Sequence, residues 1–108
     1  MPNMIRVRCQ RKDGKIISLE VKGHANSDVY GKDLVCAAVS AVTFGGLNAL
    51  NNPKAFAIKT DEKSGDVTLN VIGDVQEHDY HVLETMLIQL KSVEETSKEY
   101  MEVIEKGC

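Results

Sequence analysis

The chain reads Ile5-Arg6-Val7-Arg8-Cys9-Gln10-Arg11-Lys12-Asp13-Gly14-Lys15-Ile16-Ile17-Ser18-Leu19-Glu20-Val21, with apolar and polar residues alternating on both sides of an Asp-Gly pair. Alternation with a period of two is typical of a strand that buries one face. An Asp-Gly pair between two such runs is a frequent turn of a tight hairpin. This stretch therefore predicts a β-hairpin with one apolar face. The residues expected on that face are Ile5, Val7, Cys9, Ile17, Leu19 and Val21.

An Ala- and Val-rich segment with almost no charge occupies residues 33–50. It predicts a helix that is buried on most sides and is ended by the Asn51-Asn52-Pro53 sequence. Gly45 and Gly46 lie inside this helix, where each costs roughly 1 kcal/mol relative to alanine. We therefore expect these glycines to allow close packing on the sheet or across a dimer contact.

The second half of the sequence predicts another hairpin and then a long helix. Residues 55–60 and 67–71 read as strands around a Ser-Gly turn. From Gln76 to Lys106, apolar residues recur at helical spacing with Glu and Lys between them. The predicted order is ββαββα. We expect one α+β domain over residues 1–108, a two-layer sandwich in which a four-stranded sheet carries both helices on one face.

Composition and charge argue against several classes of protein. With a net charge of -3 and no Trp, direct nucleic-acid binding is disfavoured, because it normally requires basic surfaces and stacking rings. No segment is typical of a signal peptide or a membrane span, and three cysteines do not suggest a disulfide framework. We expect a cytoplasmic protein with no membrane partner and no cofactor.

A basic cluster of Arg6, Arg8, Arg11 and Lys12 is interpreted as a solvated strand face, with contact to an anionic partner as the alternative.

A histidine and a cysteine occupy positions suited to thiol chemistry. His24 lies in a polar loop bounded by glycines, and Cys36 lies near the start of the predicted helix. If Asp33 caps that helix, Cys36 is its third residue, where the helix field favours a thiolate and unpaired backbone N–H groups can stabilise an oxyanion. The loop can bring His24 back to the sulfur as a general base. The segment therefore predicts a cysteine-histidine dyad.

Each of these residues also has a purely structural interpretation. A cysteine in a buried helix and a histidine at a strand end occur together by chance in many domains. Asp33 either caps the helix or orients the His24 ring. Ser40 either bonds back to the Cys36 carbonyl or donates a hydrogen bond toward the sulfur.

Other potential ligands and thiols are interpreted as structural. Cys9 falls on the apolar face of the hairpin and is read as a core thiol, and Cys108 as an unactivated terminal one. His78 and His81 stand among acidic residues at a spacing that can hold a metal. We interpret them as part of a solvated first helical turn and predict no metal site.

The residues Gly23-His24-Ala25, followed by Gly31-Lys32-Asp33-Leu34-Val35-Cys36-Ala37-Ala38-Val39-Ser40, closely resemble the signature of the ribosomal-processing cysteine protease family. The motif covers about a sixth of the chain and fixes both the interval from histidine to cysteine and the Gly-x-Asp before the cysteine. Leu34 stands where isoleucine is expected to be commoner, which is a conservative change. Chain length and the predicted element order agree with the same family.

This resemblance implies a function that composition and periodicity do not. It implies that Cys36 is the nucleophile and His24 its partner, with Asp33 and Ser40 as supporting residues. It further implies a homodimer that removes the N-terminal extension of a large-subunit ribosomal protein, cutting after a phenylalanine. A mobile loop between histidine and cysteine is expected to meet the substrate, and we assign Asn26, Ser27, Tyr30 and Gly31 to it.

A second hypothesis comes from a different class of protein. In a non-catalytic ribosome-associated or assembly module, Cys36 would be an ordinary buried helix residue. The basic strand face, with Arg6, Arg8 and Arg11, would then contact RNA or an anionic protein. Cleavage of a substrate peptide separates the two hypotheses.

Overall fold

Five strands and two α-helices make up most of the computed structural model, which describes residues 4–23, 30–61 and 63–108. In chain order the elements are β1 (Ile5–Lys12), β2 (Lys15–Lys22), α1 (Tyr30–Asn48), a short 3-10 helix (Pro53–Ala55), β3 (Phe56–Thr60), β4 (Val67–Val71), α2 (Glu77–Thr96) and β5 (Met101–Gly107). The strands form one mixed sheet in the order β3-β4-β2-β1-β5. Strand β5 runs parallel to β1, and the other neighbours are antiparallel.

The predicted long helix over residues 76–106 is too long, and this makes the predicted fold wrong. Helix α2 ends at Thr96, and residues 101–107 form a fifth strand, so the order is ββαββαβ and the sheet is not four-stranded. Tyr100, Met101 and Ile104 fit a helical spacing, but Met101 and Val103 also fit the period of two of a strand. The β-branched pair Val103-Ile104 favours the strand. Pairing with β5 also satisfies backbone groups on the outer side of β1.

The first hairpin has the predicted turn but a shifted register. Asp13 and Gly14 both have positive φ, 53° and 78°, as a primed two-residue turn requires. The pairing of β1 with β2 shifts between Gln10 and Arg11, which is a β-bulge. The bulge turns Ile16 into the core at 0% exposure and leaves Ile17 partly exposed. The prediction that Ile17 faces the core is therefore wrong.

Arg11 is not part of a solvated basic face. Its guanidinium makes two hydrogen bonds to the Glu84 carboxylate of α2, at 2.6 and 2.8 Å, and one to Glu105 of β5 at 3.0 Å. Lys91 of α2 also pairs with Glu105. Hydrogen bonds from Arg11 lower the pKa of the Glu84 carboxyl, and those from Lys91 and Arg11 lower the pKa of the Glu105 carboxyl. The network joins three elements around the added strand.

Both helices pack on the apolar face of the sheet, and their buried residues join those of the strands in one core cluster. Helix α1 is less buried than predicted, because one side of it, lined mainly by small apolar residues, is exposed. Leu34 on this helix is 55% exposed, and Ala37, Ala41 and Gly45 are exposed as well. Within the ranges that the structure describes, neither helix is long and apolar enough to cross a membrane.

Only one of the two adjacent glycines of α1 is required for packing, and this leads to a stability prediction. A Cβ on Gly46 would overlap the buried Met86 side chain of α2, whereas a Cβ on Gly45 would meet no atom within 4 Å. We expect Gly46→Ala to lower the free energy of unfolding by roughly 1 to 3 kcal/mol through overpacking. Gly45→Ala, the matched control, should raise it by up to about 1 kcal/mol through helix propensity. Urea unfolding of both variants tests this, and equal effects would contradict it.

Candidate active site

Gly23 directly follows strand β2 and directly precedes His24 in the sequence. Its φ is +97°, and a Cβ at this position would overlap the main-chain oxygen of Met4. The Gly23 N–H donates a hydrogen bond to the Asp66 Oδ1 atom at 3.2 Å. A glycine is therefore required at this point of the motif. The motif residue that follows, His24, lies outside the described residues, as do Asn26 and Ser27.

The helix that carries the cysteine begins earlier than predicted. Helix α1 starts at Tyr30, so Tyr30 and Gly31 belong to its first turn and not to the loop. A Cβ on Gly31 would lie 3.0 Å from the Tyr100 hydroxyl oxygen, which shows how closely the segment before β5 approaches this turn. No local pattern indicates this contact, because Tyr100 lies far along the chain from Gly31. Contact of Tyr30 and Gly31 with substrate stays a prediction.

The early start changes the position of Asp33 and Cys36. Asp33 lies within the first turn, so the prediction that it is the N-cap is wrong. Cys36 lies in the second turn and is not the third residue of the helix. Only the first four N–H groups of a helix lack an intrahelical acceptor. The Cys36 N–H is beyond them, and the oxyanion site predicted from the amides around Cys36 is not present in that form.

Charge and burial act in opposite directions on the Cys36 thiol. The side chain is half-buried against the core cluster. Burial raises the pKa of Cys36 above its ordinary value, the charge of Lys32 one turn earlier lowers it, and the exposed Asp33 carboxylate raises it again. Lys32 itself is 5% exposed. Within the described residues, Lys32 is thus the group that favours the thiolate.

The three cysteines differ sharply in environment, and none is in a disulfide. Cys9 is 2% exposed in the core, and burial raises its pKa to about 11. The prediction of a core thiol is confirmed for this residue. Cys108 is exposed. Cys36 is the cysteine that combines partial access with a neighbouring cation, and burial, the largest influence, keeps the pKa of its thiol above the ordinary value.

Ser40 and the remaining histidines complete the set of predicted residues. Ser40 lies one turn after Cys36 and is half-buried, and its role stays a prediction. His78 contacts Asp79 through Nδ1 at 2.8 Å, and the His81 Nε2 atom lies 3.5 Å from a Glu77 oxygen. In the part of the chain that the structure describes, no group of three or more potential metal ligands gathers.

Asp79 is a structurally important residue whose role no local sequence pattern indicates. It is completely buried, and its two carboxylate oxygens accept hydrogen bonds from the N–H groups of Asn51 and Asn52 at 2.8 and 2.9 Å. Burial opposes its ionisation, but these N–H groups and His78 outweigh burial and lower the pKa of Asp79. Asp79 therefore connects the start of α2 to the segment after α1 through these two hydrogen bonds.

A family model and a relative from Staphylococcus aureus match this chain over most of its length. The sequence model of the family described as Cysteine protease Prp matches residues 4–102. The ribosomal processing cysteine protease Prp of Staphylococcus aureus is 33% identical over 89 residues, covering 81% of this chain and 84% of the relative. The protein of the same name from Bacillus subtilis is 50% identical over 48 residues, covering 44% of this chain and 43% of that relative.

Solved structures agree with the sequence matches. The S. aureus protease with a covalently linked product peptide has a TM-score of 0.81 at 32% identity, covering 95% of this chain and 100% of that one. Its complex with a substrate peptide has a TM-score of 0.79 at 30% identity, with the same coverage. Both the family match and the fold extend over the helix that carries Cys36, so this chain belongs to the family of cysteine protease Prp.

Proposed function

We propose that this chain removes the N-terminal extension of a large-subunit ribosomal protein by cutting the peptide bond after a phenylalanine. The observation that carries the proposal is the family match over residues 4–102, which includes the Gly-His and Gly-Lys-Asp-Leu-Val-Cys motifs. The S. aureus relatives of the same fold are named ribosomal processing proteases and were solved with substrate and product peptides. We further propose that the chain acts in the cytoplasm as a single catalytic domain.

The proposed mechanism uses Cys36 as nucleophile and His24 as general base. The imidazole takes the thiol proton, and the sulfur attacks the carbonyl carbon of the scissile bond. The tetrahedral intermediate then collapses, the C–N bond breaks, and the imidazolium gives its proton to the leaving amine. Water hydrolyses the remaining thioester with His24 again acting as base, which releases the acid product and restores the thiol.

Supporting roles are proposed for residues around this pair. The Asp33 carboxylate is exposed, which leaves it available to orient the His24 ring. Ser40 is proposed to donate a hydrogen bond toward the Cys36 sulfur. Asn26, Ser27, Tyr30 and Gly31 are proposed to meet the substrate peptide.

A homodimer is proposed as the working form. Its support within this chain is the stripe of small apolar residues that α1 leaves exposed. The alternative of a non-catalytic module relied on a basic strand face. That face is weakened as a binding surface, because Arg11 pairs with Glu84 and Glu105, and Arg6 pairs with Glu102 at 3.0 Å.

The test is cleavage of a synthetic peptide that spans the extension and the first residues of the mature ribosomal protein. We expect two product masses that sum to the substrate plus one water, with the cut after phenylalanine. A matched peptide with aspartate in place of that phenylalanine should be cut at least roughly tenfold more slowly, because a hydrophobic pocket rejects a charge. An intact substrate after prolonged incubation with folded protein would contradict the proposal.

A further inference from the structure

Lys32 is an exception among the buried polar residues of the described chain. The buried residues with polar or charged side chains are Lys32, Thr43 and Asp79. The Thr43 hydroxyl donates a hydrogen bond to the Val39 carbonyl at 2.7 Å, and Asp79 is satisfied by two backbone N–H groups and His78. The Lys32 ammonium makes no hydrogen bond or ion pair with any residue in the described ranges. Burying a cation is unfavourable unless a nearby group compensates its charge, so the groups close to the buried Lys32 bear on its role.

Helical geometry places Lys32 beside the Cys36 thiol. The two residues are four apart in α1, so their side chains lie on the same face, one turn from each other. The exposed Asp33 is the other charged group that acts on the thiol from this helix. From the segment before β5, the hydroxyl of Tyr100 approaches the first turn at Gly31. Among the described charged groups that act on the thiol, Lys32 is therefore the cation.

We propose that Lys32 is a positioning residue for the reaction, held in the interior so that its ammonium forms the counter-charge of the Cys36 thiolate. This inference rests on the proposed role of Cys36 as nucleophile. When the thiol is protonated, the Lys32 ammonium makes no ion pair with any carboxylate in residues 4–23, 30–61 and 63–108. When the thiol proton leaves to His24 or to solvent, the negative thiolate and the positive ammonium attract each other. The buried ammonium therefore favours ionisation of the Cys36 thiol.

The experiment measures thiol ionisation in the free protein, without any peptide. The rate of Cys36 carbamidomethylation by iodoacetamide is followed against pH by mass mapping, with Cys9 and Cys108 as reference thiols in the same molecule. We expect Lys32→Met to shift the Cys36 profile upward by about one pH unit and to slow the reaction roughly tenfold near neutral pH. Lys32→Arg should restore most of the rate, since the charge is kept, and the exposed control Lys98→Met should match the unchanged chain.

Thermal unfolding of the same variants separates this role from a merely structural one. Lys32→Met should melt at the same temperature as the unchanged chain or higher, because a buried charge is replaced by an apolar side chain of similar length. If Lys32→Met does not fold, Lys32→Gln carries the same comparison.

An unchanged alkylation profile in a folded charge-free variant would overturn the inference, whatever the melting temperature. The result is independent of the substrate. Failure to cut the ribosomal peptide, together with a shifted thiol profile, would refute the proposed function and leave the role of Lys32 standing.

Discussion

Cys36→Ala is expected to abolish cleavage of the ribosomal peptide, and His24→Ala to reduce it by roughly three orders of magnitude or more. The two residues are proposed to act as a unit, so removal of either should cost most of the activity. Alanine is well tolerated in a helix, and Cys36 is only half-buried, so the fold should persist in Cys36→Ala. Product formation is measured by mass spectrometry under single-turnover conditions, with circular dichroism to verify folding.

The matched control for Cys36 is Cys9, which lies in strand β1, away from the proposed site. Cys9→Ala removes a thiol from the core, where Cys9 is 2% exposed, and should cost stability without changing the cleavage rate of the folded protein. Residual cleavage by Cys36→Ala at the rate of the unchanged chain would refute the proposed nucleophile. If Cys9→Ala alone lost activity while folded, the nucleophile would have been assigned to the wrong sulfur.

Asp79→Ala is expected to lower the free energy of unfolding by about 2 to 4 kcal/mol. The substitution leaves the buried N–H groups of Asn51 and Asn52 without their charged acceptor. Asp79→Asn keeps the shape but has one acceptor oxygen for two donors, so its loss should be smaller. The exposed neighbour Asp74 supplies the control, and Asp74→Asn should change stability by less than about 0.5 kcal/mol. Urea unfolding near neutral pH measures all three.

The same carboxylate predicts how stability depends on acid. The pKa of Asp79 is lower in the folded protein than its ordinary value of 3.8, so the folded state favours the ionised form. Its contribution is therefore fully present above the unfolded pKa and is lost as the pH falls through the folded pKa. Between about pH 5 and pH 2, the unchanged chain should lose more stability than Asp79→Asn does. Parallel acid curves for the two proteins would contradict this prediction.

Local patterns in the sequence were sufficient for the two hairpins and for the existence of both helices. The alternation of Ile5, Val7 and Cys9 and the Asp13-Gly14 turn lead directly to β1 and β2. Element ends were less predictable, because they depend on contacts between distant residues. Residues 101–107 carry both periodicities, and it is pairing with β1 that makes them a strand.

In the candidate site, too, local patterns predicted some features, whereas others depend on contacts between distant residues. The Gly-His and Cys motifs led to the family, which the family match confirms, and the roles of His24 and Cys36 stay a prediction. The start of α1 at Tyr30 could not be read from the sequence, because Asp33 is a favoured cap residue and Gly31 is a poor helix former. The burial of Lys32 also depends on packing that no local pattern reports.

The parallel pairing of β1 with β5 has a consequence during synthesis. The seven paired positions join residues 5–11 to residues 101–107, so this ladder is among the most non-local contacts of the fold. Such contacts form late, since a long intervening chain must first be closed. The Tyr100 ring that lies against the first turn of α1 emerges from the ribosome with the same segment. During synthesis, the helix that carries Cys36 is therefore made long before the Tyr100 side chain that packs against its first turn and before the strand that pairs with β1.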